Sequence, residues 1–334
     1  MTNFNPILLS SLAILSFFFG FIGNRTSMCS VMAVDELITH KRYDIFKSFL
    51  KIVVWVFGIT VLFELFGLIS PARNENYAFH PEAMLGGVIF GVGAVINGGC
   101  SMNTLIQFCR GRLGLIFSFI GFALGVVIAG YIFTFASNLQ PLKIKPFDGF
   151  SILQLSILAA VFTFWGMYEF YGLFKGASIE TWKKRFKSEH YDRSLSAAIL
   201  GISNGILVVF VGIWVYSNLI ITGLIYIFYD WEGIELGLYY KVSFGLFGAM
   251  LLGILISAKT SRTFALSFEI KLKYLAGGFL MGVGAVLVPG GNDVVLLNSI
   301  PALSFQAVPS YFSMLLGMAL MIMIKQFKSR KKVV

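Results

Sequence analysis

Long apolar stretches, separated by short polar or basic segments, run through the whole chain. Nine of them predict membrane-spanning helices, at about 6–23, 49–70, 83–97, 113–136, 151–173, 197–214, 238–257, 274–288 and 308–324. A crossing helix needs about 20 apolar residues, and the third and eighth stretches are the shortest. A second short apolar stretch follows each of these two, at 101–109 and 294–300. The pattern therefore predicts two spans that consist of half-helices on either side of a break.

These two short spans repeat one glycine pattern, 191 positions apart. The sequence GGVIFGVGAV begins at Gly86 and leads to INGGC, which ends at Cys100, whereas GGFLMGVGAV begins at Gly277 and leads to LVPGGND, which ends at Asp293. An apolar helix broken by glycine at equivalent places of two halves is typical of the substrate site of a membrane transporter. The fifth of nine spans would turn the second half upside down. We therefore expect an inverted repeat whose breaks meet near the midplane.

The fold class that follows is an all-α polytopic membrane protein in three parts. Residues 1–136 form the first membrane repeat of about four spans, and 137–195 form a connecting span with a basic cytoplasmic loop. Residues 196–334 form the second, inverted repeat of about four spans with a basic tail. Composition excludes a soluble domain, because 57% of the 334 residues are hydrophobic and 13% are charged, against about 25% charged in soluble domains.

The distribution of lysine and arginine predicts the orientation. With the N-terminus outside, 21 of the 26 basic residues fall in inner loops or the C-terminal tail, and three fall in outer loops: Arg73, Lys143 and Lys145. Cytoplasmic loops are enriched in these residues, so we expect an external N-terminus and a cytoplasmic C-terminus. The net charge of +10 is thereby assigned to topology and membrane lipid, and we expect no nucleic-acid partner.

The first break offers a candidate anion site at Gly98, Gly99 and Cys100. Glycines let the backbone turn and expose its N–H groups, and a helix over 101–109 would direct its positive end at the break. The Cys100 thiol would be a weak donor there. The alternative, which the spacing alone leaves open, is that the two glycines allow close helix packing and that Cys100 fills space.

A second candidate segment, 24–30, interrupts the chain after the first span and contains Arg25 and Cys29. An arginine at membrane depth requires a cavity, a partner or an anion, but Arg25 also fits a cytoplasmic anchor at a helix end. Cys109 is expected to be a packing residue. Two further carboxylates, Glu64 and Glu169, lie in or near spans and receive no role from the sequence.

The second break contains Gly290, Gly291, Asn292 and Asp293. Asn292 and Asp293 are polar groups that would line a transport path, and Asp293 is also a candidate for binding a proton or cation. Both residue types are common helix caps, so we expect one of them to cap the following short helix. The amide of Asn292 stands, in this reading, where the first break has the thiol of Cys100.

No motif indicates a cofactor, a metal ion or an enzymatic triad. The three cysteines form no CxxC pair or zinc spacing, and the glycine pattern has neither the strand nor the lysine of a nucleotide-binding loop. We therefore expect no cofactor, no metal site and no catalytic residues.

Two glycine-broken helices, the first ending in Gly98-Gly99-Cys100, resemble the YeeE/YedE family of bacterial inner-membrane sulfur-compound transporters. The similarity is strongest over 84–112 and 275–318. It implies an hourglass-shaped protein with short helices and loops that reach the membrane centre. It also implies thiosulfate uptake, in which the anion passes along three cysteines through S–H hydrogen bonds, and Cys29 and Cys100 match two of them. Some members work with a small cytoplasmic sulfur-carrier protein, which is the partner that the resemblance suggests.

The chain departs from the family at the third cysteine, where it has Gly290-Gly291-Asn292. An amide is a stronger donor to an oxyanion than a thiol, so transport by a thiol and amide relay is still expected. The departure leaves the cargo open between thiosulfate and another sulfur or selenium species. A membrane-bound sulfur-transfer enzyme with a persulfide on Cys100, and a channel or scaffold without a role for cysteine, are the alternatives.

Overall fold

The computed structural model describes residues 5–26, 28–68, 80–136, 147, 149–175, 188–229 and 237–331. Regular structure in these residues is helical, and the only pairing of strand type is an isolated bridge between Arg112 and Ser267. The predicted all-α fold is therefore confirmed. Several cations used to predict the orientation lie outside the described residues: Arg73, Lys143, Lys145, Lys183, Lys184, Arg185, Lys187 and Lys332.

Thirteen α-helices follow one another along the described chain. They are α1 (Pro6–Thr26), α2 (Ser30–His40), α3 (Asp44–Leu65), α4 (Pro81–Asn97), α5 (Ser101–Cys109), α6 (Ile116–Ala136), α7 (Ile152–Phe174), α8 (Arg193–Val211), α9 (Tyr216–Tyr229), α10 (Leu238–Thr260), α11 (Leu272–Leu287), α12 (Asn292–Val294) and α13 (Ala307–Lys331). A π-helical turn, Val295–Ser299, continues α12. Within the described ranges, eight helical segments are long and apolar enough to cross a membrane, or nine if α11 and the bent α12 segment count as one.

Both predicted breaks are present, and their backbones match. Cys100 precedes α5 with φ −70° and ψ 175°, and Gly291 precedes α12 with φ −72° and ψ 176°. At the second break the chain also bends, and the α12 segment is inclined by 49° to α11. Gly291 is therefore the structural equivalent of Cys100, and Asn292 is the equivalent of Ser101.

This equivalence corrects the alignment of the second break by one residue. The sequence comparison matched the two Gly-Gly pairs with each other and so placed Asn292 opposite Cys100. In the structure, Gly98 and Gly99 correspond to Pro289 and Gly290. The Gly99 N–H donates to the Ala94 carbonyl, and the Gly290 N–H donates to the equivalent Ala285 carbonyl.

Two further spans are broken, which the hydropathy pattern did not predict. The chain is interrupted between α1 and α2 at Cys29, and between α8 and α9 at Gly212. The sequence hides α2 because Asp35, Glu36 and His40 make it read as a loop. It hides the start of α9 because the apolar stretch continues from α8 without a charged residue.

The repeated glycines form a close seam between α4 and α11. A Cβ atom at Gly284 would lie 2.5 Å from the Gly86 carbonyl oxygen, and one at Gly93 would lie 2.8 Å from the Gly277 carbonyl oxygen. Gly86 is equivalent to Gly277, and Gly93 to Gly284, so the two contacts are reciprocal. Small residues let membrane helices approach backbone to backbone in this way.

Corresponding helices of the two halves also make corresponding contacts. Helix α1 packs on α10 while α8 packs on α3, and α4 packs on α13 while α11 packs on α6. Such reciprocal packing agrees with two copies of one architecture around the α4–α11 seam. Their inverted orientation across a membrane stays a prediction.

Candidate functional site

Four short helices begin at the four breaks, and their first residues meet inside the protein. The polar side chains at these starts belong to Ser30 of α2, Ser101 of α5, Ser217 of α9 and Asn292 of α12. All four are buried, with at most 4% of their surface exposed. We refer to these residues, together with Cys29, Cys100 and Asp293, as the central cluster.

The structure brings the two predicted relay thiols together. Cys29 Sγ lies 3.3 Å from Cys100 Sγ, although 71 positions separate the residues. The Cys100 N–H also points at Cys29 Sγ, at 3.5 Å. Each thiol is 1% exposed, and each stands directly before a helix, so that the free N–H groups of the first turns of α2 and α5 surround the pair.

A chain of hydrogen bonds connects the two halves beside the thiols. Ser101 Oγ lies 2.6 Å from Asn292 Oδ1, and Asn292 Nδ2 donates to Ser30 Oγ at 3.1 Å. Ser30 Oγ is in turn 3.2 Å from the hydroxyl of Tyr311 on α13. Asn292 therefore bridges the starts of α2 and α5, each of which follows a cysteine.

Asp293 lies on the other side of Asn292 and faces two hydroxyl groups. Its Oδ1 atom is 2.7 Å from Ser217 Oγ and 2.9 Å from Ser101 Oγ. Its Oδ2 atom is buried and has no hydrogen-bond partner among the described residues. Neither Asp293 nor Asn292 caps α12, because Gly291 is the capping residue and no side chain bonds to the helix start. The prediction that one of them is a cap is therefore wrong; these side chains bond across to other helices.

The four candidate glycines have two different uses at the breaks. Gly98 and Gly290 have φ of +92° and +136°, a region that other residues enter at a cost. Gly99 and Gly291 allow close approach instead. A Cβ at Gly99 would lie 2.5 Å from Asn103 Nδ2, and one at Gly291 would lie 2.5 Å from Asp293 Oδ1.

Arg25 makes its described contacts at the end of α1, with groups outside the central cluster. Its guanidinium donates to the Ser188 carbonyl and to Thr260 Oγ1, both at 2.8 Å. It also lies over the rings of Phe21 and Tyr191, with centroids 4.8 and 5.0 Å away. These contacts support the anchoring alternative for Arg25, since they fix α1 to α10 and to the segment before α8.

The remaining sequence candidates have local structural surroundings. Cys109 is buried in the hydrophobic core, as expected of a packing residue. Glu169 pairs with Lys51 and accepts a hydrogen bond from Ser194 at 3.2 Å. Glu64 lies in the last turn of α3.

Sequence reasoning missed four members of the site: Ser30, Ser101, Ser217 and Tyr311. A signal existed for the first two, since each directly follows a candidate cysteine. Ser217 and Tyr311 lie in apolar helices, and only the tertiary structure brings them to the breaks.

The electrostatic character of the site suits an anion. Helices α2, α5 and α9 have 11, 9 and 14 residues, and each begins at the cluster. A helix start carries about +0.5 elementary charge and unsatisfied N–H groups. Thiol, hydroxyl and amide donors accompany them, so the site can replace the water molecules of a small anion without a fixed positive charge.

Broken membrane helices that meet around buried polar groups define a multi-pass membrane protein of the transporter class. Comparison with known proteins supports this class. The family model described as Sulphur transport matches residues 25–320. The chain is also 23% identical over 350 aligned positions to the thiosulfate transporter TsuA of Spirochaeta thermophila, a match that covers 91% of this chain and 95% of that protein. The chain belongs to the sulphur transport family, which is the YeeE/YedE family.

Proposed function

We propose that this protein imports thiosulfate across the bacterial inner membrane through the central cluster. The observation that carries the proposal is the 3.3 Å contact between Cys29 and Cys100 at the meeting point of the helix starts. The similarity to a thiosulfate transporter supports the choice of cargo.

In this proposal, a sequence of weak donors replaces the hydration shell of the anion. Thiosulfate would accept hydrogen bonds from the thiols of Cys29 and Cys100, and from N–H groups in the first turns of the helices that follow the breaks. The N–H groups of Gly98, Gly99 and Gly290 themselves donate to carbonyls of the preceding helices, so these glycines would act by turning the backbone. Asn292 would supply the amide donor of the second half. Thiols are weak donors, and a permeation site has to release the ion as well as bind it. No covalent bond to the anion forms in this mechanism.

The absence of a third thiol agrees with a relay in which an amide takes the place of a thiol as the donor of the second half. Gly291, the equivalent of Cys100, has no side chain, and Asn292 next to it reaches Ser30 instead. The second half would therefore contribute an amide and backbone N–H groups. Another sulfur or selenium oxyanion of similar size is the alternative cargo.

The orientation and the partner are also part of the proposal. With the N-terminus outside, the basic segments that include Arg193, Lys259, Arg262 and Lys271 lie on the cytoplasmic side. This side would receive the small sulfur-carrier protein, and the basic residues would face anionic lipid headgroups. Fluorescence of a C-terminal green fluorescent protein fusion, against an alkaline phosphatase fusion at the same end, tests the orientation.

Uptake of radiolabelled thiosulfate into proteoliposomes tests the function. We expect uptake by the wild type, none above empty liposomes for Cys100→Ala, and near wild-type uptake for the matched control Cys109→Ala, which removes a buried thiol outside the cluster. Equal uptake by Cys100→Ala and the wild type would contradict the relay. An excess of unlabelled selenium or sulfur oxyanions in the same assay identifies the preferred cargo.

The thiol pair also fits a second function, a sulfur-transfer enzyme. A Cys100 thiolate would attack the outer sulfur of thiosulfate, forming a persulfide and releasing sulfite. The neighbouring Cys29 thiolate would then attack the persulfide, forming a disulfide and releasing hydrosulfide, and an external dithiol would have to reduce this disulfide before the next turnover. Sulfite release without uptake, together with a persulfide on Cys100 in a Cys29→Ala variant, would favour this enzyme over the transporter.

A further inference from the structure

We propose that Asp293 is a proton-binding site that couples proton entry to the import of the anion. This inference rests on the proposed function, because it assigns the driving ion to the same central cluster. The carboxyl group is 3% exposed, and it lies within hydrogen-bond distance of Ser101, the residue next to Cys100.

Asp293 has no positive partner in the described structure. The ionisable group that faces it is Tyr216 at the start of α9. Farther away, Cys100 precedes its partner Ser101 and contacts Cys29, and Tyr311 contacts Ser30. None of these four is a cation. The ion pairs among the described residues, such as Lys51–Glu169 and Arg193–Glu36, lie elsewhere. A buried carboxylate without a counter-charge is costly, whereas the neutral acid is tolerated.

The hydrogen-bond count at Ser101 also favours a proton on Asp293. The Ser101 hydroxyl has one hydrogen, but two acceptor oxygens lie close to it: Asn292 Oδ1 at 2.6 Å and Asp293 Oδ1 at 2.9 Å. In this orientation of the Asn292 amide, a deprotonated carboxylate would leave one of these two oxygen pairs without a hydrogen. A proton on Asp293 Oδ1 completes the set, because Asp293 then donates to Ser101 and Ser101 donates to Asn292.

Loss of that proton would reverse the direction of donation along this series of hydrogen bonds. Ser101 would then donate to Asp293, the Asn292 amide would turn so that its Nδ2 donates to Ser101, and its Oδ1 would accept from Ser30. The proton on Asp293 therefore decides whether the Ser30 hydroxyl, next to Cys29, accepts from Asn292 or donates to it. The relay thiols and the carboxyl are linked through this one amide.

Coupling to a proton gives the import of a dianion a driving force. A carboxylate beside the thiols would repel the anion, so the anion and the neutral acid are expected to occupy the cluster together. Import moves negative charge against a potential that is negative inside, and each accompanying proton cancels one of those charges. Entry of the anion with at least one proton follows from both effects.

Proteoliposomes that contain a trapped pH dye, with the membrane potential clamped at zero, test the coupling. We expect external thiosulfate to acidify the lumen in the wild type and in the matched control Glu64→Gln, which removes a carboxyl group of α3. An inward gradient of one pH unit should raise steady-state accumulation about tenfold at one proton per anion. Asp293→Asn should lose both the acidification and the gradient-driven accumulation.

Wild-type uptake without acidification, or full gradient-driven accumulation by Asp293→Asn, would overturn the coupling. Infrared difference spectroscopy of the purified protein separates this failure from failure of the proposed function. A carbonyl band of a protonated carboxyl at neutral pH, lost in Asp293→Asn and kept in Glu64→Gln, supports the proton site even if thiosulfate does not move. Absence of that band from the wild type overturns it. If Asp293→Asn does not elute as folded protein, Ser217→Ala should shift the frequency of the band, because the carboxyl loses one donor.

Discussion

Ser101 and Asn292 occupy equivalent positions of the two repeats and are hydrogen-bonded to each other, with Oγ and Oδ1 2.6 Å apart. Equivalent residues touch only where an axis that relates two halves passes between them. The contact therefore agrees with a pseudo-twofold axis through the central cluster, as the predicted inverted repeat requires. Because a serine faces an asparagine across this axis, the site itself is asymmetric, with thiols on one side and an amide and a carboxyl on the other.

The proximity of Cys29 and Cys100 predicts selective oxidation. Diamide accepts two electrons and two protons from a pair of thiols, so it should join these two sulfurs, which are 3.3 Å apart. The count of free thiols in denatured protein should fall from three to one, and uptake should stop until a reductant is added. In Cys29→Ala the two remaining thiols should persist. Equal thiol loss in Cys29→Ala would place the pair elsewhere.

Restoring a thiol to the second half should work poorly at the position that symmetry suggests. Gly291→Cys should abolish uptake, because its Cβ would lie 2.5 Å from Asp293 Oδ1 and 3.0 Å from Ser217 Oγ. Asn292→Cys places the same residue one position later, where a side chain already fits, and should keep part of the uptake. Uptake rates of folded protein, selected by size exclusion, compare the two. Full activity of Gly291→Cys would show that the break has room that the structure does not assign to it.

The glycine seam predicts that one added methyl group lowers stability inside the seam and does not lower it at a glycine outside the seam. Gly284→Ala should lower stability by about 1–3 kcal/mol, because the new Cβ would meet the Gly86 carbonyl oxygen at 2.5 Å. Gly248→Ala in α10 is the matched control, since nothing lies within 4 Å of its Cβ, and it should leave the melting temperature unchanged or raised. Thermal denaturation in detergent measures both. Equal melting temperatures would mean that the α4–α11 seam tolerates expansion.

Arg25 should act on stability more than on affinity for the anion. Arg25→Gln removes charge-assisted hydrogen bonds to the Ser188 carbonyl and Thr260, with an expected cost of about 1–3 kcal/mol. The folded fraction should take up thiosulfate with an unchanged KM. An unchanged melting temperature combined with a raised KM would instead show that Arg25 attracts the anion, which is the other role that the sequence analysis left open for it.

The sequence predicted the parts of the fold that depend on local pattern. Apolar length and glycine position were sufficient for the helical class, the two broken spans and the repeat that begins at Gly86 and Gly277. The 191-position spacing of the repeat already places Cys100 opposite Gly291, but matching the Gly98-Gly99 pair with the Gly290-Gly291 pair shifted the register of the break by one residue. The acidic residues in the middle of α2 and the unbroken apolar stretch before α9 concealed two further half-helices for opposite reasons.

The sequence pointed to those members of the site that stand at a break: the two cysteines, the glycines, and Asn292 with Asp293. Cys29 and Cys100 stood out because each follows a break in an apolar run. Ser217 and Tyr311 are ordinary residues of apolar helices, and their place follows from tertiary packing. The hydrogen bonds that Asn292 accepts from Ser101 and donates to Ser30 join residues that are 191 and 262 positions apart, and no single-sequence pattern specifies such pairs.

The reciprocal contacts of Gly86 with Gly284 and of Gly93 with Gly277 also limit how the protein can move. A carrier that rocks its two halves apart requires an interface that can open, whereas α4 and α11 come from different halves and touch backbone to backbone. We therefore expect α4 and α11 to keep their positions relative to each other during transport. Passage of the anion would then depend on small displacements of the short helices beside the seam, which makes the molecule a gated constriction more than a rocking carrier.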